Sequence, residues 1–196
     1  IEVSPCAKAC VHGISIKDNA LLHRNKPAVL SLDLRDFFPT IKRPRVFGLY
    51  RSFGFSTVVA NILARLCTLK DSLPQGAPTS PAISNLLCRG LDNRLFGLAR
   101  KKSLRYSRYA DDLTFSGRIA PGDLIASVRR ICLAEGFVLN ESKTRLMLRH
   151  QRQEVTGLIV NSRLNVPREL RRELRQLAYF LNRYGVDGHL EHQANR

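Results

Sequence analysis

Acidic residues are scarce in this chain. Asp and Glu number 16 against 32 Lys and Arg over 196 residues, a formal charge of +16, which a neutral small-molecule substrate does not require. A polyanion is the expected partner, nucleic acid ahead of an anionic membrane surface. Long apolar runs are missing too: the longest span a few residues, such as Val58 to Ala60, against the ~20 needed to cross a bilayer. No membrane-spanning segment is expected. Cysteine is sparse and odd in number, at positions 6, 10, 67, 88 and 132 in otherwise apolar stretches, which argues against a disulfide framework and for a reducing, cytoplasmic location. Cys6 and Cys10 lack a second Cys or His pair to complete a zinc set, and His189 with His192 lack a third ligand. There is no signal peptide and the first residue is Ile1 rather than methionine, so the chain reads as processed or excerpted. Repeats and low-complexity segments are absent, and 44% hydrophobic with 24% charged residues indicates one globular unit rather than a disordered chain.

What is present is an interleaving of strand and helix patterns. Residues 28–33 read as a short buried strand ending on Asp33, followed by a Phe37-Phe38-Pro39 turn. Between Ser56 and Lys70, Val59, Ile62, Leu63, Leu66 and Leu69 recur at helical spacing behind an N-capping Ser56. Ser80-Pro81 offers a cap and first-turn proline for one further helix carrying Ile83, Leu87, Leu91, Leu95 and Leu98. Residues 104–109 and 112–116 read as a hairpin with Asp111-Asp112 at its tip. A helix over 123–135, stopped by Gly136, precedes strands near 144–149 and 154–160. Arg168 to Tyr184 closes the series as a helix whose leucine stripe (170, 174, 177, 181) is expected to pack, while Arg168, Arg172 and Arg175 occupy another face. The order predicts an α+β fold, a sheet with helices behind it.

Acids at strand ends in so basic a chain need a reason, and a divalent cation supplies one. Asp33 and Asp111 would meet if their strands were neighbours, and paired carboxylates suit hard, oxygen-seeking Mg²⁺. Two such ions ~4 Å apart can activate an attacking oxygen and stabilise a leaving one in phosphoryl displacement. Consecutive strand residues point to opposite faces, so Asp111 is expected as direct ligand and Asp112 as its helper.

Tyr109-Ala110-Asp111-Asp112, preceded by Leu-Asp-Leu-Arg-Asp-Phe-Phe-Pro at 32–39 and Leu-Pro-Gln-Gly-Ala-Pro-Thr-Ser-Pro at 73–81, resembles the palm signature of reverse transcriptases. Asn19-Ala20-Leu21-Leu22-His23 and Val155-Thr156-Gly157 resemble two elements of the bacterial retron reverse transcriptases. The resemblance implies a right-hand polymerase palm: partial fingers and palm over 1–166, the start of a thumb over 167–196. It implies RNA-directed DNA polymerase activity with two Mg²⁺, Mn²⁺ able to substitute, held by Asp33, Asp111, Asp112 and the carbonyl of Leu34. Phe38 matches the steric gate against a ribose 2′-hydroxyl, Gln75-Gly76 the loop beside the incoming nucleotide, and Lys143 the lysine near the triphosphate.

Asn19, His23, Val155, Thr156 and Gly157 match elements associated with the cognate RNA, and Arg168, Arg172 and Arg175 the thumb face that grips duplex phosphates. The implied partners are a structured noncoding RNA serving as template and primer, deoxynucleoside triphosphates, an RNA–DNA duplex and an effector protein. The implied product is branched, RNA-linked DNA made in defence against phage. Family members carry more chain before the first matched element and more thumb behind the last. Alternatives are a group II intron-like or CRISPR-associated reverse transcriptase, and a noncatalytic RNA-binding module on the same fold.

Overall fold

The computed structural model describes residues 2–194, with side chains described as far as Val186. The side chains of His189 and His192 lie outside the described residues. At the centre is an antiparallel sheet in the order β2-β3-β1-β4, formed by β1 (Ala28–Leu34), the hairpin β2 (Arg105–Tyr109) and β3 (Asp112–Gly117), and β4 (Leu139–Leu148). Helix α1 (Ile16–Leu22) precedes β1; α2 (Phe37–Thr40), α3 (Arg43–Ser52), α4 (Thr57–Leu66), α5 (Thr79–Leu87) and α6 (Arg89–Lys101) run in succession between β1 and β2, and α7 (Pro121–Ala134) joins β3 to β4. A small hairpin, β5 (Glu154–Val155) and β6 (Leu158–Ile159), leads into α8 (Arg168–Ala194). The α+β architecture is therefore the expected one.

Alternation along β1 divides the interior in two. Leu30, Leu32 and Leu34 pack with Leu113 and Phe115 against Leu91 and Leu95 of α6 and Leu124, Val128 and Cys132 of α7. Each fully buried side chain of this kind contributes about 2 kcal/mol, so this helix-backed face anchors the sheet. Val29, Ser31 and Asp33 are on the opposite face, where Val29 joins Ala20, Val155 and Val160 in a smaller core. The chemistry is left to the end of this second face.

Local signals place the helices well. The Ser56 hydroxyl accepts from the Val59 N–H at 3.3 Å. At the end of α7, Gly136 adopts φ +80, with Gly136 N–H donating to Leu133 O at 3.0 Å and Phe137 N–H to Cys132 O at 2.8 Å, both bonds of a Schellman motif.

Four expectations need correction. The second leucine-patterned helix is two, because Cys88 (φ −82, ψ 4) ends α5 and begins α6; Ser80 does not cap it but donates to Pro74 O at 2.7 Å. Helix α4 ends at Leu66, leaving Leu69 outside it, and its large apolar residues Val59, Ile62 and Leu66 are exposed, Leu66 at 78%. Its buried residues are Ala60 and Ala64, whose small side chains let α3 lie close. Residues 154–160 form the β5–β6 hairpin rather than one strand, with Thr156 and Gly157 at φ 47 and 79, the two positive values a type I′ turn demands. The leucine stripe of α8 stays exposed, because the helix departs from the body; Arg152 ties its first turn through Glu169 at 3.2 Å, and Gly185 (φ 71) interrupts it.

Asn19 and His23 are also corrected. Both side chains are fully buried and offer no surface to an RNA. His23 Nδ1 meets Ser116 Oγ at 2.7 Å and Nε2 meets Ser107 Oγ at 2.8 Å, while Ser107 Oγ donates to Asn19 Oδ1 at 2.6 Å. Ser107 thus accepts from a protonated Nε2, and Ser116 donates to Nδ1. The pair staples α1 to both strands of the central hairpin.

Burial pushes the His23 pKa down to about 3, with Lys26 and Lys8 adding to the effect, from an ordinary value of 6.5. Between those values the unfolded chain binds the extra proton, so stability falls as pH drops through that window. Replacing His23 by Ala strands two serine hydroxyls and opens a cavity, and should cost about 2–4 kcal/mol in urea unfolding at pH 7.5. The wild-type advantage over His23→Gln should shrink as unfolding is repeated from pH 6.5 down to 4; an advantage that stays constant or grows would contradict a buried neutral imidazole.

Candidate active site

Sheet register builds the site. Asp33 of β1 is the direct antiparallel partner of Asp112 on β3, and directly opposed residues project to the same face. Tyr109 pairs with Asp112 across the β2–β3 hairpin, leaving Ala110 and Asp111 as its two-residue turn. Ala110 takes φ +55, the positive φ at the first central position that a II′ hairpin uses and that glycine usually supplies. The Leu34 N–H donates to the Asp111 carbonyl at 3.0 Å. The turn is thereby held against the end of β1, and Asp33, Asp111 and Asp112 gather at one end of the sheet. The carboxylate directly opposite Asp33 is that of Asp112, with Asp111 joining from the turn.

The next side chain comes from an irregularity. In β4, Asn140 pairs with Asp33 and Arg145 with Ser31, so residues 141–144 span the interval that Leu32 alone spans on β1. The bulge carries Lys143 over the carboxylates, its Nζ 3.1 Å from Asp33 Oδ2, with the lysine side chain 58% exposed and that of Asp33 10%. Glu141 in the same bulge pairs with Arg129 of α7 at 2.6 Å, fastening it from the other side. Ser31, Asp33, Asp112, Lys143, Arg145, Met147, Glu154, Thr156 and Gly157 enclose a cleft of about 200 Å³.

Three acids in partial burial are in tension. Burial pushes Asp112 up to about 6, the Asp111 and Asp33 charges push the same way, and Lys143 and Arg145 pull back. Asp111 is raised as well, by burial and then by Asp33, while its own backbone hydrogen bond and Lys143 oppose the shift. Lys143 and Arg145 together do not cancel three carboxylates. Hard oxygen donors short of positive charge fit a divalent cation. Among the described residues no group of three His, Cys, Asp or Glu side chains could hold a metal ion by itself, so these carboxylates would supply part of a shell that water and phosphate oxygens complete, as Mg²⁺ commonly accepts.

The remaining sequence-designated residues fall in different places. Phe37 is buried, stacked on Phe137 at 5.5 Å, and takes the core-packing role. Phe38 is half-buried, edge-on to Phe37 at 5.1 Å. Gln75 and Gly76 are exposed in the loop before α5, Gly76 at φ +89. Val155 is buried in the smaller core, whereas Thr156 and Gly157 line the cleft beside Asp33 and Asp112. Arg168, Arg172 and Arg175 line a separate groove along α8 with Arg171. Sequence reasoning missed Arg145 in the cleft and the buried Arg108 one residue before Tyr109. An arginine within a strand otherwise headed for the core was the available signal for Arg108.

A family model described as reverse transcriptase (RNA-dependent DNA polymerase) matches residues 5–161. The chain belongs to the reverse transcriptase family. Within it, the retron Mx65 reverse transcriptase of Myxococcus xanthus is 42% identical, over 91% of this chain and 47% of that protein. The retron Ec86 reverse transcriptase of Escherichia coli is 38% identical, over 82% and 51%. The chain spans about half the length of these reverse transcriptases. Among solved structures, a telomerase from Candida albicans in complex with a fragment of telomeric RNA superposes with TM-score 0.55 at 13% identity, over 78% of this chain and 33% of that one. A telomerase from Candida tropicalis gives 0.53 at 12%, over 78% and 38%. These two show a shared fold. Among the described residues no helix is long and apolar enough to cross a membrane.

An Asp112 carboxyl raised to about 6 takes up its proton more readily folded than unfolded, so its cost to stability grows as pH rises from 3.8 and is complete above 6. Asp112→Asn should therefore raise the melting temperature of the metal-free protein at pH 7.5 by about 2–4 °C. Millimolar MgCl₂ should stabilise the wild type more than this variant. Calorimetry showing the variant melting lower without metal would refute the repulsion.

Proposed function

We propose that the chain carries the catalytic palm of a retron-type RNA-directed DNA polymerase. The observation that supports this most is the convergence of Asp33, Asp111 and Asp112 at one sheet end, beside an exposed lysine, in a chain of this family. In this reading Asp33, Asp111, Asp112 and the Leu34 carbonyl hold two Mg²⁺ ions, for which Mn²⁺ can substitute. Metal held there would supply Lewis acidity to the primer hydroxyl and to the departing pyrophosphate of an in-line displacement. Lys143, free to swing from Asp33, meets phosphate charge on the leaving side.

The other positions follow. The exposed part of Phe38 lies against the sugar of the incoming nucleotide and excludes a 2′-hydroxyl, while Phe37 keeps the backbone of α2 in place. Gln75 and Gly76 lie along the nucleotide, the glycine allowing close backbone approach. Thr156 and Gly157, at the rim of the same cleft, contact RNA or the primer strand. Arg168, Arg172 and Arg175 hold duplex phosphates without reading sequence. The finer reading extends the proposal to a structured noncoding RNA as template and primer, RNA-linked single-stranded DNA as product, and a role with an effector protein in antiphage defence.

Primer extension on an RNA template with deoxynucleotides and Mg²⁺ tests the proposal. The wild type should extend and Asp111→Asn should not; RNA binding without extension by the wild type would favour a noncatalytic module instead. Phe38→Ala should retain extension while raising ribonucleotide incorporation relative to deoxynucleotide by about 10-fold or more, read from competing single-nucleotide additions. Unchanged discrimination would remove Phe38 from the sugar.

A further inference from the structure

We infer that Arg108 is a positioning residue for the carboxylates on the β2–β3 turn, setting the geometry in which they take up a divalent cation. The inference deepens the function proposed above and rests on it. Arg108 pairs with Leu113 and is thus on the helix-backed face, opposite the aspartates. Its side chain is 0% exposed, as is that of Asp92. Four of the five guanidinium N–H groups have partners: Nε donates to Asp92 Oδ1 and Nη2 to Asp92 Oδ2, each at 2.9 Å. Nη1 donates to Asn85 Oδ1 at 3.1 Å and to the Ala110 carbonyl at 3.2 Å. The bend at Cys88 brings Asn85 of α5 and Asp92 of α6 onto this one arginine.

The acceptors are themselves fixed. Asp92 Oδ1 also accepts from the Tyr106 hydroxyl at 3.0 Å, and Asn85 Nδ2 donates to the Ala9 carbonyl at 2.9 Å. The Arg108 backbone is held too, its N–H donating to Cys6 O and its carbonyl accepting from Lys8 N–H, both at 2.8 Å.

A buried ion pair is a poor source of stability, because desolvation offsets most of the attraction. What this one adds is direction. The Ala110 carbonyl belongs to the peptide group that leads into Asp111, on a residue held at φ +55 against the preference of L-residues. Arg108 grips that carbonyl from the helix side, and the Leu34 N–H grips the next one, that of Asp111. Two consecutive peptide planes of the turn are thus fixed by groups outside it, which sets where the Asp111 carboxylate starts. Lysine would keep the charge opposite Asp92 but lacks the planar fork that reaches three acceptors at once.

The test compares Arg108→Lys and Asn85→Ala with the wild type in the full chain. Arg108→Lys should raise the Mg²⁺ concentration for half-maximal extension by about 10-fold, with an unchanged KM for template-primer and an unchanged burst amplitude. Asn85→Ala, which removes one acceptor of Nη1 together with the donor to the Ala9 carbonyl, should shift the Mg²⁺ requirement less and in the same direction. Without metal, deuterium uptake should rise in the segment 105–117 of both variants and stay unaltered in 121–134. A lowered burst amplitude at unchanged Mg²⁺ requirement, with faster exchange throughout, would make Arg108 a stabilising residue only and overturn the inference. Should Arg108→Lys fail to fold, a folded Asn85→Ala with wild-type Mg²⁺ requirement and exchange overturns it equally. A wild type inert toward Mg²⁺ and deoxynucleotides would instead sink the proposed function, and local exchange at 105–117 would still decide whether Arg108 holds the turn.

Discussion

The antiparallel pairing of β1 with β3 sets Asp33 directly opposite Asp112, and most of the molecule can be understood as keeping that pairing in register. Strand side chains alternate, so a slip by one residue would send Asp33 into the leucine face and Leu32 or Leu34 into the cleft. The large core beneath Leu30, Leu32 and Leu34 makes such a slip prohibitive. Apolar burial on one face thus guarantees a concentration of negative charge on the other, although neither face touches the other's chemistry.

That charge is disfavoured locally and is tolerated because the surroundings are fixed independently. The hairpin bearing Asp111 and Asp112 is held on its helix side by Arg108 and on its cleft side by His23, through Ser107 and Ser116. One device is a charged fork and the other a neutral imidazole with a partner on each ring nitrogen. Polar residues in this interior act as fasteners for a strained turn, while the leucines supply the burial energy.

Much of this was legible in the sequence, and the exceptions have physical reasons. Asp33 at a strand end, the hairpin around Asp111 and Asp112, the cap at Ser56 and the stop at Gly136 are written in local residue chemistry. What periodicity does not encode is which way a face looks. The stripe on α4 had the right spacing, but Ala60 and Ala64 made the closer fit to α3 and the bulky residues were left outside. Asn19 and His23 are polar, and polarity suggested a surface; only contacts from residues more than 80 positions away reveal that they are interior. Arg108 was passed over for a similar reason, because its partners Asn85 and Asp92 lie within a leucine-rich helical pattern that masked them.

The bulge in β4 separates two properties that a regular strand would join. On either side of residues 141–144 the pairing with β1 is ordinary, so the chain between could gain or lose a residue without disturbing the sheet. The reach of the cation that overhangs the acids is therefore adjustable by length alone. A change of length confined to this short detour would move the cation over the acids while the paired residues on either side keep their places.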